Sequence, residues 1–182
     1  MKGTRIKTLY LIRHAKSDWQ DPGTSDFERA LTKKGRKDIK TMGSYLKLRG
    51  VLPDLLLASC SLRTQETADG LADRLGFEGQ RDYLQELYLT SSETLVETLM
   101  SQEKSFDTIM VVGHNPQMTE VANLLTEEHV AKVPTLGMVA ITFEIEEWSE
   151  LEETKGEIDF FIFPKQFKYY MPQQIRTTFD LR

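Results

Sequence analysis

The sequence predicts an α/β three-layer sandwich: a mostly parallel central sheet of about six strands with helices on both faces. Two observations predict it. Continuous apolar runs such as Leu9-Tyr10-Leu11-Ile12 and Leu55-Leu56-Leu57-Ala58 are too short for helices and lack the alternation of half-exposed strands, which suits strands covered on both faces. Between such runs lie stretches with apolar residues at helical spacing, and together they read β-α-β-α-β-α-β-α down to about residue 125.

The elements follow in order. After Leu9–Ile12 comes a polar loop, Asp18 to Leu31, holding Pro22-Gly23. Thr32 caps a helix reaching about Arg49, with Ile39, Met42, Gly43 and Leu46 on one face and Gly50 placed to end it. Pro53-Asp54 leads into the second strand, Leu55–Ala58. A helix from about Ser61 or Leu62 buries Ala68, Leu71, Ala72 and Leu75 and closes at Gly76. Arg81–Leu87 is the third strand, and Ser91 or Ser92 caps a helix carrying Leu95, Val96, Leu99 and Met100. Phe106–Val112 is the fourth strand. Asn115 as N-cap and Pro116 at the first helical position then start a helix with Met118, Val121, Ala122 and Leu125 inward. Two further strands are expected at about Gly137–Glu146, with Val139, Ile141, Phe143 and Ile145 on one face, and at Ile158–Phe163. The acidic segment between them (Glu146, Glu147, Glu150, Glu152, Glu153) reads as a solvated hairpin loop. The tail from Lys165 is placed on the surface, with Phe167, Tyr169 and Tyr170 packing over the sheet edge rather than forming a nucleic-acid patch.

Composition narrows the function classes. The 182 residues fit one domain, 1–182, with 40% hydrophobic and 28% charged residues. A net charge of −5 argues against a broad nucleic-acid surface but leaves room for a local basic pocket. The lone Cys60 excludes an intramolecular disulfide framework, so a reducing, cytoplasmic setting is expected. The apolar run after the basic N-terminus is too short for a signal peptide or a membrane span. No metal-binding motif and no phosphate-binding Gly-x-x-x-x-Gly-Lys loop is present, so neither a metal nor another cofactor is expected. A cysteine phosphatase built on Cys60 would place an arginine at position 66, where Glu66 stands, so Cys60 is read as a buried structural thiol.

Chemistry gathers at the strand ends. The first strand delivers Arg13 and His14, the second is followed by Arg63 in the first turn of a helix, and the fourth delivers Gly113-His114 before another helix. Parallel strands bring all of these to one carboxyl edge, where open α/β sheets bind ligands and helix N-termini favour anions. Two arginines supply forked donors that match phosphate oxygens, and two imidazoles supply a nucleophile and a donor.

These residues carry a resemblance. Leu11-Ile12-Arg13-His14-Ala15-Lys16-Ser17 resembles the Arg-His-Gly/Ala signature of the histidine phosphatase superfamily, with its phosphoglycerate mutase-like fold. Arg-His-Ala-Lys-Ser itself, the run Arg29-Ala30-Leu31-Thr32-Lys33-Lys34-Gly35 and Ser59-Cys60-Ser61-Leu62-Arg63-Thr64-Gln65-Glu66-Thr67-Ala68 resemble its SixA branch of phosphohistidine phosphatases. Val111-Val112-Gly113-His114-Asn115-Pro116 completes the set, over about residues 8–165. The resemblance implies that His14 is the nucleophile, that Arg13, Arg63 and a protonated His114 form the phosphate pocket, and that Glu86 stands where relatives keep a proton donor. Ser17 and Asn115 are further phosphate-binding candidates, whereas Lys16 and Asp18 have no derivable role.

The expected activity is a metal-independent phosphatase acting through a phosphohistidine intermediate on protein phosphohistidine, such as a histidine phosphotransfer domain. The alternatives are a phosphatase of small phosphomonoesters and an inactive phosphate-binding module. Short connections, 17 residues from Ala15 to Leu31 and four from Leu87 to Thr90, predict an open mouth. A monomer is expected, with neither nucleic acid nor membrane as partner.

Overall fold

The computed structural model describes residues 5–19 and 21–169. The order is β1 (Ile6–Arg13), α1 (Lys33–Leu48), β2 (Leu55–Ser59), α2 (Leu62–Leu75), β3 (Gln80–Leu84), α3 (Ser92–Met100), β4 (Thr108–Gly113), α4 (Gln117–Leu125), β5 (Met138–Glu144), β6 (Glu157–Ile162) and α5 (Pro164–Tyr169). The six strands form one sheet ordered β3-β2-β4-β1-β5-β6. Pairs β3-β2, β2-β4 and β4-β1 are parallel, and β5 is antiparallel to both β1 and β6. Only β5 therefore runs against the rest, and the sheet is mixed but mostly parallel.

The chain steps outward from β1 to β2 to β3, then returns to β4. Right-handed crossovers put the helices of these two directions on opposite faces. One core accordingly joins α1 and α2 to Ile12, Leu56, Ala58, Met110, Val112 and Met138. The other joins α3 and α4 to Leu9, Leu11, Leu55, Leu57, Val111, Val139 and Ile141. Neighbouring residues of β1, β2 and β4 fall into different cores, which is why their apolar runs are continuous. The same holds for β5. Met138 and Ala140 are buried like Val139 and Ile141, so its expected one-sided alternation is replaced by burial on both faces.

Local chemistry sets the ends. Thr32 Oγ1 accepts the Gly35 N–H at 3.0 Å to cap α1, and Gly50 follows its end at φ 72°. Gly76, at φ 70°, closes α2 in the left-handed conformation that suits glycine. The third strand ends earlier than expected, because Gln85–Leu87 form a 3-10 turn that buries Leu87. At α4 the N-cap position is Pro116, one residue later than expected; Asn115 Oδ1 accepts instead from Thr119 Oγ1 at 3.1 Å.

Two sequence readings are corrected at the periphery. The glutamates of the acidic segment are exposed, yet Trp148–Glu152 is a 3-10 turn that buries Trp148 and Leu151. Glu150 Oε1 accepts the N–H groups of Glu146 and Glu147, and the indole N–H of Trp148 donates to Phe106 O at 2.8 Å. Apolar burial of a tryptophan outweighs the acidic composition around it. The tail does not all lie on the surface, because Phe167 of α5 is buried with its ring 5.2 Å from Tyr45 of α1. The Tyr169 side chain and Tyr170 lie outside the described residues. No helix among the described residues is long and apolar enough to cross a membrane.

Candidate active site

β2, β4 and β1 are adjacent and parallel, so Ser59, His114 and Arg13-His14 meet at one carboxyl edge. The backbone of His14 is clamped from two sides. Its N–H donates to Gly113 O at 3.0 Å, and its carbonyl, like that of Arg13, accepts the Leu136 N–H at 3.1 Å. Leu136 takes a left-handed backbone (φ 54°) to do so, which for a non-glycine residue costs roughly 1–2 kcal/mol. A third tether comes from α2, where Thr67 Oγ1 donates to Arg63 O at 2.7 Å and accepts the Ala15 N–H at 3.0 Å.

Hydrogen bonding fixes the tautomers. His14 is 7% exposed, and its Nδ1 lies 2.7 Å from Ala15 O. A carbonyl only accepts, so Nδ1 carries the proton and Nε2 keeps its lone pair. Burial pushes the His14 pKa down to about 3, with His114, Arg63 and Arg13 adding repulsion against the Ala15 hydrogen bond, so the ring is neutral at pH 7. His114 stands 5.5 Å away, ring to ring. Its Nδ1 lies 3.3 Å from Arg63 Nη2 and its Nε2 2.9 Å from Ser59 Oγ. Arginine only donates, so Nδ1 accepts and Nε2–H points to Ser59. Burial first, then Arg63, lowers the His114 pKa to about 4. The expected protonated His114 is thus corrected: its resting ring is neutral, because a cation there would be buried against Arg63.

Three arginines surround the pair. Arg13 Nη1 donates to Val133 O at 3.3 Å. Arg63, 2% exposed, donates from Nη1 to Asp26 O at 2.6 Å and from Nη2 to Asp26 Oδ2 at 3.1 Å. Arg29 donates to Asp26 Oδ1 at 3.0 Å and to Ser17 Oγ at 2.8 Å. Among the described residues, the buried side-chain polar atoms without a hydrogen-bond partner are Nε of Arg13, Arg29 and Arg63 and, elsewhere, Nη2 of Arg74. Leaving a buried donor unpaired costs about 1–3 kcal/mol, more for a charged group. Their concentration at one edge therefore fits an anion.

The other expected residues are placed differently. Ser17 is engaged by Arg29. Asn115 donates to Val133 O at 2.7 Å, the carbonyl that also receives Arg13, and accepts from Thr119; its side chain braces the segment supporting Arg13. Glu86 is exposed in the 3-10 turn, outside the hydrogen-bonded cluster, and Lys16 and Asp18 are exposed. Cys60 is only half-buried, its thiol donating to Gln85 Oε1 at 2.8 Å, because it follows β2 instead of lying within it. Sequence reading missed Ser59, Asp26, Arg29 and Tyr88. Tyr88 donates to Asp26 Oδ2 at 2.7 Å, and its ring lies 5.7 Å from that of His114 and 5.1 Å from that of Phe27. The short segment between β1 and α1 thus contacts the site through Asp26, on Arg63 and Tyr88, and through Phe27, on Tyr88.

The chain has counterparts among known proteins. An uncharacterised chloroplast protein of Arabidopsis thaliana is 29% identical over 159 residues, 82% of this chain and 72% of that one. A crystal structure described as that of a candidate phosphohistidine phosphatase, SixA from Agrobacterium tumefaciens, matches with TM-score 0.76 and 26% identity, covering 87% of this chain and 98% of that one. A structure of the protein histidine phosphatase SixA complexed with tungstate has the same TM-score, 0.76, at 20% identity and covers 87% and 98% of the two chains. The family model of the histidine phosphatase superfamily (branch 1) matches residues 9–108, from β1 through the start of β4. Spanning more than half of the sequence, that match establishes that the chain belongs to branch 1 of the histidine phosphatase superfamily, with the SixA-type fold.

Proposed function

We propose that this chain is a metal-independent phosphatase that carries the phosphoryl group on His14 Nε2 and acts on phosphohistidine presented by a protein. One observation carries the reading: a buried histidine, held neutral with Nδ1–H on Ala15 O and Nε2 free, stands among arginines with orphaned buried Nε donors. Nε2 attacks phosphorus in line while the bond from phosphorus to the substrate nitrogen breaks, and its electron pair returns to that nitrogen. A substrate imidazole protonated on its other nitrogen leaves neutral. His14 then bears phosphorus on Nε2 and keeps the Nδ1 proton on Ala15 O. Water next attacks phosphorus, and the P–N bond breaks to return neutral His14 and inorganic phosphate. Arg13 and Arg63 meet the charge on the equatorial oxygens, a role that electrostatic preorganisation makes the largest contribution in phosphoryl transfer. His114 stays neutral, its Nδ1 accepting from Arg63 and its Nε2–H donating to Ser59.

The substrate class follows from the first step. Imidazole replaces imidazole, so the bond made and the bond broken are alike and no external acid is needed. An alkoxide leaving group would need a placed acid, and Glu86 is exposed outside the cluster. The solved SixA structure with tungstate shows that this fold holds an oxyanion in that protein.

The test is phosphate release from phosphohistidine, acetyl phosphate and sugar phosphates, with and without excess EDTA. Phosphohistidine should give the highest kcat/KM, unchanged by the chelator. His14→Ala should reduce turnover by at least about 10³-fold, the scale of losing a covalent nucleophile, while the circular dichroism spectrum holds. A phosphoenzyme trapped from wild type should be acid-labile and base-stable, as a phosphoramidate is. Preference for a sugar phosphate, or full activity in His14→Ala, would overturn the reading.

A further inference from the structure

Arg63 is buried, and apart from its contact with His114 its side chain donates to one residue, Asp26. Nη1 takes the main-chain oxygen of Asp26 at 2.6 Å and Nη2 its Oδ2 at 3.1 Å. Asp26 is held in turn. Its Oδ1 accepts from Arg29 at 3.0 Å, and its Oδ2 also accepts from Tyr88 at 2.7 Å. Partial burial works against the Asp26 charge, but Tyr88, Arg63 and Arg29 outweigh it and hold the carboxyl below its ordinary range. The segment bearing Asp26 is fixed at both ends and in the middle. Ser17 and Leu31 form a β-bridge across its base, and Phe27 O accepts the Leu62 N–H at the start of α2 at 3.0 Å.

This arrangement does more than neutralise a buried arginine. A guanidinium has a planar fork, and fixing both Nη atoms on one residue fixes the plane and leaves the orphaned, buried Nε–H and the second Nη1–H as donors free for an anion. We propose that Asp26, backed by Tyr88 and Arg29, is a positioning residue: it locks the Arg63 guanidinium so that its remaining donors meet the phosphoryl oxygens without reorganisation. The proposal rests on the reading of this edge as a phosphoryl site. It adds a residue that neither contacts the reacting atoms nor falls in the strand-end motifs. Asparagine at this position offers one acceptor oxygen in place of two and turns N–H groups toward arginine or tyrosine donors, so the lock is lost while the volume stays.

The test is binding of inorganic vanadate by calorimetry, with kcat and KM measured alongside, on wild type, Asp26→Asn, Tyr88→Phe, Arg63→Met and Asp26→Asn/Arg63→Met. Asp26→Asn should weaken vanadate and lower kcat/KM together by about 10- to 100-fold, the range of a hydrogen bond to a charged group. Tyr88→Phe, which keeps the carboxylate and serves if Asp26→Asn does not fold, should act in the same direction but less. In the Arg63→Met background Asp26→Asn should cost no further affinity, since its effect passes through Arg63. Equal losses in both backgrounds would overturn the proposal. So would tighter vanadate binding in Asp26→Asn, which would make the carboxylate a competitor of the oxyanion. A lowered Tm with unchanged vanadate affinity and KM would reduce Asp26 to a structural residue and overturn it as well. Wild type that binds vanadate but spares phosphohistidine would remove the substrate reading and leave this proposal standing, whereas wild type that binds no vanadate would remove both.

Discussion

Ser59 shows how one hydroxyl sets the chemistry of a histidine two strands' ends apart in sequence. It accepts Nε2–H of His114, and Arg63 donates to the ring's other nitrogen, so the ring can neither flip nor change tautomer without leaving a buried group unpaired. Ser59→Ala should therefore cost about 1–3 kcal/mol in urea unfolding and lower kcat more than KM, because the ring loses its orientation. Glu86 makes the opposite expectation. Exposed and outside the cluster, it is not a placed acid, so Glu86→Gln should leave kcat/KM unchanged for phosphohistidine and for phosphoserine alike in parallel measurements; a selective loss on phosphoserine would count against this. At this scale the sequence points to Arg13, His14, Arg63 and His114, because the first two and His114 end or directly follow an apolar run and Arg63 stands in the first turn of the helix after another. It does not reveal Asp26 or Tyr88. They lie in aperiodic segments, and their use arises only when two loops fold together over the edge. Nor does it reveal the neutral state of His114, because desolvation depends on the packing around the ring.

Gly35 carries the coupling between a helix and the nucleophile segment. It lies in the first turn of α1, and a Cβ there would stand 2.3 Å from Lys16 O, a contact with backbone that cannot swing aside. Thr32 adds to the same contact, its N–H donating to Lys16 O at 2.9 Å. Gly35→Ala should thus push the 15–17 segment away from α1, destabilising by roughly 1–3 kcal/mol as overpacking does. It should also lower kcat by displacing His14, and activity per folded molecule measures that displacement separately from the lost stability. Within the elements the sequence is a good guide where periodicity governs. Ile39, Met42, Gly43 and Leu46 of α1 are all buried, as are Ala68, Leu71, Ala72 and Leu75 of α2. It misleads where long-range packing decides. Composition marks the Glu-rich segment as solvated, yet Trp148 anchors it against Phe106 O, and the alternation in β5 gives no sign that the second core, which takes Met138, covers its other face.

At the scale of the whole molecule the site is a cost that the two cores must carry. Both sheet faces end at the same edge, and there His14 and His114 are buried as neutral rings. Burial lowers their pKa values to about 3 and about 4, against an ordinary value of 6.5 shared by the unfolded chain. Between those limits the unfolded state binds more protons than the folded one, so stability rises with pH there. The contribution is full above pH 6.5 and is lost as pH falls toward the folded values. Each ring loses roughly 1.4 kcal/mol per pH unit within that window, or about 2 kcal/mol per histidine between pH 6.5 and 5. That range lies above the ordinary carboxylate values, so acidic residues contribute little to the slope. Urea unfolding of wild type at pH 7, 6 and 5 should show the decline, and His114→Asn, whatever its stability at pH 7, should show about half of it. A wild-type midpoint flat from pH 7 to 5, or an undiminished slope in His114→Asn, would mean that these rings are not held neutral by the fold.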